Sequence, residues 1–261
     1  MYNKKEVEVI KLEIPFNIGE WKTFHTGIYK GDDKDIDTAL QHTIERMVRL
    51  MPNIKKSSKI LVLGGVNSYP AVFLATRYGS KTDCIAESDE AGKKIEKYAK
   101  SHGKDDTITV HVQPFSKTMF SDGNFDIIWS MDGIHTTENK RTMIREAARL
   151  LVPEGRFIFC DYMKKGSADS EDTDEYMTSK GYLKLADKAD LERVYLREMA
   201  GEASRHHSIL LEHIDSKKAK LAKQIGSKEL DAIIADITDR KSKLDNGVLD
   251  WGFLQFQKRN V

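Results

Sequence analysis

Cysteine is scarce in this chain, with Cys84 and Cys160 the only two. Two thiols supply neither a disulfide framework nor, by themselves, a metal site. Both lie in apolar runs and are expected to be buried thiols of a reducing compartment. An excess of charge of one sign is also lacking. Lys and Arg total 42 against 41 Asp and Glu, a net charge of +1, so no strong field recruits nucleic acid or an anionic membrane. No run approaches the roughly 18 apolar residues of a membrane span. The first fifteen residues lack the apolar core of a signal peptide, and a cytoplasmic protein is expected. No internal repeat or low-complexity tract is present. These absences leave a small molecule as the expected ligand. The 261 residues are enough to bury a substantial core without cross-links, as one large domain or one domain with a cap.

What the sequence does contain is a rhythm. Ile36 to Met51 carries apolar side chains at helical spacing until Pro52-Asn53 stops it. Lys59 to Leu63 is a short apolar run ending in Gly64-Gly65, the pattern of a buried parallel strand feeding a tight turn. Further strands are predicted over 82–86, 108–112, 125–129 and 156–160, with helices over about 69–78, 89–102 and 140–151 between them. This alternation predicts an α/β fold: a Rossmann-like, mostly parallel sheet with helices on both faces. Residues 164–174 are polar and acidic and read as a solvated surface loop, or as a mobile lid over a pocket. A short helix near 180–189, a strand near 191–196 and two charged amphipathic helices over about 204–225 and 227–244 follow. Val248 to Phe256 reads as a last strand that joins the sheet edge. Three segments are therefore expected: an N-terminal extension plus Rossmann-like core (1–163), a loop, strand and helical cap (164–247), and a returning strand (248–261).

Ligands of such sheets bind at the carboxyl ends of the strands. The residues to read are Gly64 to Ser68, Ala86 to Ser88, Val112-Gln113, Ser130 to Thr136 and Asp161 to Met163. The first of these turns has neither G-x-G-x-x-G nor a P-loop Lys-Ser/Thr, so phosphate cradling is not expected. His206, His207 and His213 lack a metal-ligand pattern such as H-E-x-x-H, and a solvated or partner-facing helix surface is expected there.

Four stretches in order carry a resemblance that spans nearly the whole chain. They are His25-Thr26-Gly27-Ile28-Tyr29, Phe125 to Asp132 (with Trp129-Ser130-Met131-Asp132), Asp161-Tyr162-Met163, and Trp251-Gly252-Phe253 to Phe256. Together they resemble the class I S-adenosylmethionine-dependent methyltransferases. More narrowly, they resemble the sarcosine/dimethylglycine N-methyltransferases of glycine betaine synthesis, with phosphoethanolamine methyltransferases as close relatives. The resemblance implies a seven-stranded sheet, S-adenosylmethionine as methyl donor and a small amine as acceptor. It places His25, Tyr29, Trp129, Asp161, Met163 and His206 at the substrate. Trp129 and Tyr29 would offer aromatic faces to a methylated ammonium.

The sequence departs from the family pattern at the donor. Val62 stands for the acid of the first loop, Val66 and Ser68 for two of its glycines, Ala86 for the polar residue at the ribose, Val112 for the acid at the adenine, and Met131 for a glutamine. The family histidine after that segment falls on Thr136, with His135 one place earlier. Gly64, Gly65, Asn67, Glu87, Gln113, Met131 and Asp132 are the remaining candidates to hold the cofactor, with Glu87 placed to accept from the ribose hydroxyls. Two functions from different classes follow. One is an N-methyltransferase acting on an amine such as sarcosine or dimethylglycine. The other is a non-catalytic methyltransferase-fold protein, acting as partner or regulatory subunit of an active homologue.

Overall fold

The computed structural model describes residues 25–51, 53–63, 69–86, 88–166 and 174–260. Helix α1 spans Ile36–Leu50, and Asp35 caps it by accepting from the Thr38 amide at 2.7 Å. Then come β1 (Lys59–Leu63), α2 (Tyr69–Tyr78), β2 (Lys81–Ala86), α3 (Asp89–Ser101), β3 (Ile108–Val112), β4 (Phe125–Met131), α4 (Lys140–Leu150) and β5 (Leu151–Lys164). The remainder is α5 (Ser179–Asp187), β6 (Leu191–Glu198), α6 (Ala200–Ser216), α7 (Lys218–Ile225), α8 (Ser227–Asp245) and β7 (Leu249–Lys258).

Seven strands form one sheet in the order β3-β2-β1-β4-β5-β7-β6. The first five are parallel, and β7 runs antiparallel to both β5 and β6. The expected α/β class is therefore observed, and the order reverses between the neighbouring strands β1 and β4, the position at which such sheets hold ligands. One buried cluster covers each face of the sheet. The first unites Met47, Ala71, Ile95, Val62, Trp129 and Tyr162, placing α1, α2 and α3 on that side. The second unites Leu61, Ile128, Met143, Phe159, Met163 and Tyr182, with α4 and α5 on the other. A third cluster joins Tyr29, Ile36 and Leu40 to Leu210, Leu221, Leu230 and Ile237, which fastens α6–α8 onto α1 as a cap.

Two expectations need correction. The final strand does not join the edge: β7 lies between β5 and β6, and β6 takes the edge. Burial explains the difference. The first eight residues of β7 are buried on both faces, whereas β6 is largely exposed, and an alternating pattern alone does not separate the two positions. Gly252 permits the close pairing, because a Cβ there would lie 2.1 Å from the Arg197 carbonyl oxygen. The helix expected over 204–225 is two helices, α6 and α7, separated at Lys217.

Candidate active site at the carboxyl ends of the central strands

The strand ends converge on two carboxylates, Asp161 fully buried and Asp132 partly so. Asp132 follows β4 with φ at 47°, a left-handed conformation tolerable for Asp. Its Oδ2 accepts from the Thr26 amide at 2.6 Å and its Oδ1 from Trp251 Nε1 at 2.7 Å. Burial, and secondarily the Asp161 carboxylate, raise Asp132 to about 6 against the pull of those bonds. Asp161, fully buried in β5, accepts from the His135 amide at 2.9 Å, from the Tyr162 amide at 2.6 Å and from His135 Nδ1 at 2.5 Å. The His135 loop is pinned from below. Lys140, itself buried, donates through Nζ to the carbonyls of His135 and Thr137 at 2.9 and 2.8 Å.

Aromatic rings wall this pair. Tyr162 meets the His135 ring edge-on at 5.6 Å, and Tyr176 stacks on His135 at 5.5 Å. The Tyr162 hydroxyl shares hydrogen bonds with Thr26 Oγ1 at 2.7 Å and His207 Nε2 at 3.0 Å. Burial keeps that phenol protonated and His207 neutral. Arg240 of α8 lies over the Tyr162 ring, 5.1 Å from its centroid.

The predicted substrate residues divide. Asp161 belongs to the converging group. Tyr29 and His206 bond to each other at 3.0 Å in the cap, next to Gly27, where a Cβ would be 3.3 Å from His206 Nδ1. His25 donates through Nε2 to the Leu40 carbonyl at 2.9 Å, tying the N-terminal segment to α1, and burial lowers it to about 4. Trp129 is wholly buried in the first core cluster, with its Nε1 lacking an acceptor among the described residues. Met163 packs with Met177 and Tyr182 on the opposite side of the sheet from Tyr162, as strand alternation requires. The solvated surface expected for His206 and His207 is not observed. Both are buried, because α6 turns that face onto Tyr29 and Tyr162. No cluster of His, Cys, Asp or Glu able to hold a metal occurs among the described residues. Cys84 and Cys160 are free and buried, as expected.

The donor candidates divide as well. Gly64, Gly65, Asn67 and Glu87 lie outside the described residues, as do Val66 and Ser68. Val62 and Ala86 are buried in the core and Met131 is buried at the end of β4. Val112 is half-exposed beside Gly92, where a Cβ would meet its Cγ2 at 3.0 Å, so α3 packs tightly on the ends of β2 and β3. Gln113 Oε1 accepts from the Met119 amide at 3.1 Å. The described residues thus fit the reacting end of a methyl donor. At the ends of β2 and β3, Ala86 and Val112 offer no polar side chain to a nucleoside, and the β1 turn and Glu87, the other candidates, lie outside the described residues.

Sequence reasoning named His135 only as the neighbour of Thr136, without a role, and passed over Tyr176 and Arg240. A histidine within a switch-point loop was a usable signal for the first. Nothing local distinguishes Arg240 within a helix rich in charge.

Comparison with known proteins agrees with this geometry. A methyltransferase domain model matches residues 63–159. A sarcosine/dimethylglycine N-methyltransferase of Halorhodospira halochloris is 24% identical over 243 residues, covering 90% of this chain and 87% of that protein. A protein of Galdieria sulphuraria, assigned as a sarcosine dimethylglycine methyltransferase, superposes with a TM-score of 0.89 at 22% identity, covering 99% and 100% of the two chains. A phosphoethanolamine N-methyltransferase of Haemonchus contortus, crystallised with phosphomonomethylethanolamine and S-adenosylhomocysteine, gives 0.74 at 15% identity over 84% of this chain and 53% of that one. The chain thus carries a methyltransferase domain on a class I type of methyltransferase fold, and over most of its length it is similar to the sarcosine/dimethylglycine N-methyltransferases.

Proposed function

We propose that the protein methylates the nitrogen of a small amine of the sarcosine or dimethylglycine kind. The supporting observation is the His135–Asp161 pair, buried at the ends of the central strands and faced by two tyrosine rings. S-adenosylmethionine, when bound, supplies a methyl group activated by an adjoining sulfonium. The chain's own residues must then desolvate the amine, orient it and take its proton.

An amine at neutral pH arrives mostly as ammonium, which has no lone pair to attack with. Asp161 accepts from Nδ1–H of His135, so Nε2 carries the ring's lone pair in the neutral tautomer. That nitrogen removes the ammonium proton, and the resulting imidazolium is stabilised by the carboxylate behind it. Three donors hold Asp161 and Lys140 holds the loop backbone, so the base is positioned before substrate arrives. Tyr162 and Tyr176 wall the base with aromatic surface, which favours a methylated cation beside it. Gly64, Gly65, Asn67 and Glu87 would hold the donor's nucleoside.

Methyl transfer from labelled S-adenosylmethionine to sarcosine and dimethylglycine tests this reading. Turnover is expected, with His135→Gln lowering kcat by about 10²–10⁴-fold and leaving S-adenosylhomocysteine binding intact. An enzyme that methylates neither amine, or a His135→Gln variant as active as the parent, overturns it. The non-catalytic alternative finds no support in the relatives, which are themselves named as methyltransferases.

A further inference from the structure

We propose that Arg240 is the anchor for the acceptor's carboxylate, which makes an N-methylated amino acid, rather than a neutral alkanolamine or a phosphorylated amine, the preferred acceptor. The inference rests on the N-methyltransferase reading above and adds a specificity-determining residue to it.

Three observations converge. The first is position. Arg240 belongs to the cap helix α8, yet its guanidinium lies 5.1 Å from the centroid of the Tyr162 ring, the same ring whose neighbour at 5.6 Å is His135. A guanidinium and a base thus flank one aromatic side chain. A short molecule with an amine at one end and an anion at the other matches that arrangement.

The second is unspent hydrogen-bonding capacity. Nη2 donates to Asp236 at 2.7 Å, one turn back on the same helix, and that carboxylate is 54% exposed. Nε is buried and has no acceptor among the described residues. Buried donors in native proteins are nearly always satisfied, so an orphan beside a reaction site points to a missing acceptor. The nearby carboxylates do not serve. Asp161 is held by His135 and Tyr162, and Asp132 by Thr26 and Trp251.

The third is the local charge. Lys241 is engaged by Asp245, and burial holds His207 neutral. One guanidinium therefore meets the ligand. A planar fork with two parallel donors suits a carboxylate, whereas a phosphate dianion normally collects several cations.

The test compares two acceptors that differ only at the anionic end, N,N-dimethylglycine and N,N-dimethylethanolamine, in the parent enzyme and in Arg240→Met and Arg240→Lys. The parent should favour dimethylglycine. Arg240→Met should lower kcat/KM for dimethylglycine by roughly 100-fold, chiefly through KM, and reduce dimethylethanolamine turnover far less, with Arg240→Lys between the two. Calorimetric titration of donor-free protein with glycine betaine, which accepts no further methyl group, should show weakened binding in Arg240→Met at unchanged Tm. A parent enzyme without preference, or equal losses on both acceptors, overturns the anchor and leaves the N-methyltransferase reading in place. A parent enzyme that methylates neither acceptor overturns both.

Discussion

Trp251 Nε1 donates a 2.7 Å hydrogen bond to Asp132 Oδ1, and this bond ties the last strand to the loop after β4. The other oxygen of Asp132 accepts from Thr26, so three distant parts of the chain meet on one partly buried carboxylate. Trp251→Phe keeps most of the ring volume and removes the donor. The unfolding free energy should fall by about 1–3 kcal/mol, and the Asp132 carboxyl, already raised to about 6, should rise further. Urea denaturation and a carboxyl NMR titration check both parts; an unchanged titration would show that the bond does little to hold the charge.

Val112 closes β3 with its side chain half-exposed, so an acid there would remain partly solvated. Val112→Asp should raise affinity for S-adenosylhomocysteine by about tenfold to a hundredfold, the effect of giving a desolvated adenine donor its acceptor. Calorimetry measures this directly. Unaltered affinity would mean that the adenine is held elsewhere.

Acid should loosen the junction between cap and core. Burial lowers His25 from 6.5 to about 4 and His206 to about 3, and it also pushes His207 well down. Between about pH 6.5 and 4 the unfolded chain binds protons that the folded chain excludes. Stability therefore falls as the pH drops through that window, by roughly 1.4 kcal/mol per pH unit for each histidine, and is fully regained above 6.5. Asp132 acts in the opposite sense. It keeps a proton in the folded state between 3.8 and about 6 and so offsets part of the loss. Urea midpoints measured from pH 7 to 4.5 should decline, and His206→Gln should flatten the decline. Parallel profiles for the two proteins would refute the assignment.

The fold was legible because burial on both faces writes itself into sequence locally. Runs such as Ile60 to Leu63 and Ile127 to Trp129 are apolar throughout, and the helices between them keep one apolar face. The edge was misplaced because β6 and β7 differ in what packs against them, which local pattern does not encode. Part of the site was legible too. Asp132 directly follows β4 and Asp161 lies close to the end of β5, near where any parallel sheet presents its ligand-facing residues.

The sequence by itself determined the strand–helix alternation, the class of the fold and the strip of residues from which a site had to be drawn, since each depends on side chains near one another in the chain. Tertiary structure alone decided that His135, rather than His25, pairs with a buried carboxylate, and that Arg240 reaches across from the cap. Those outcomes follow from contacts between residues 26 to 119 positions apart and from the solvent each contact excludes, and nothing in the local order of residues fixes either.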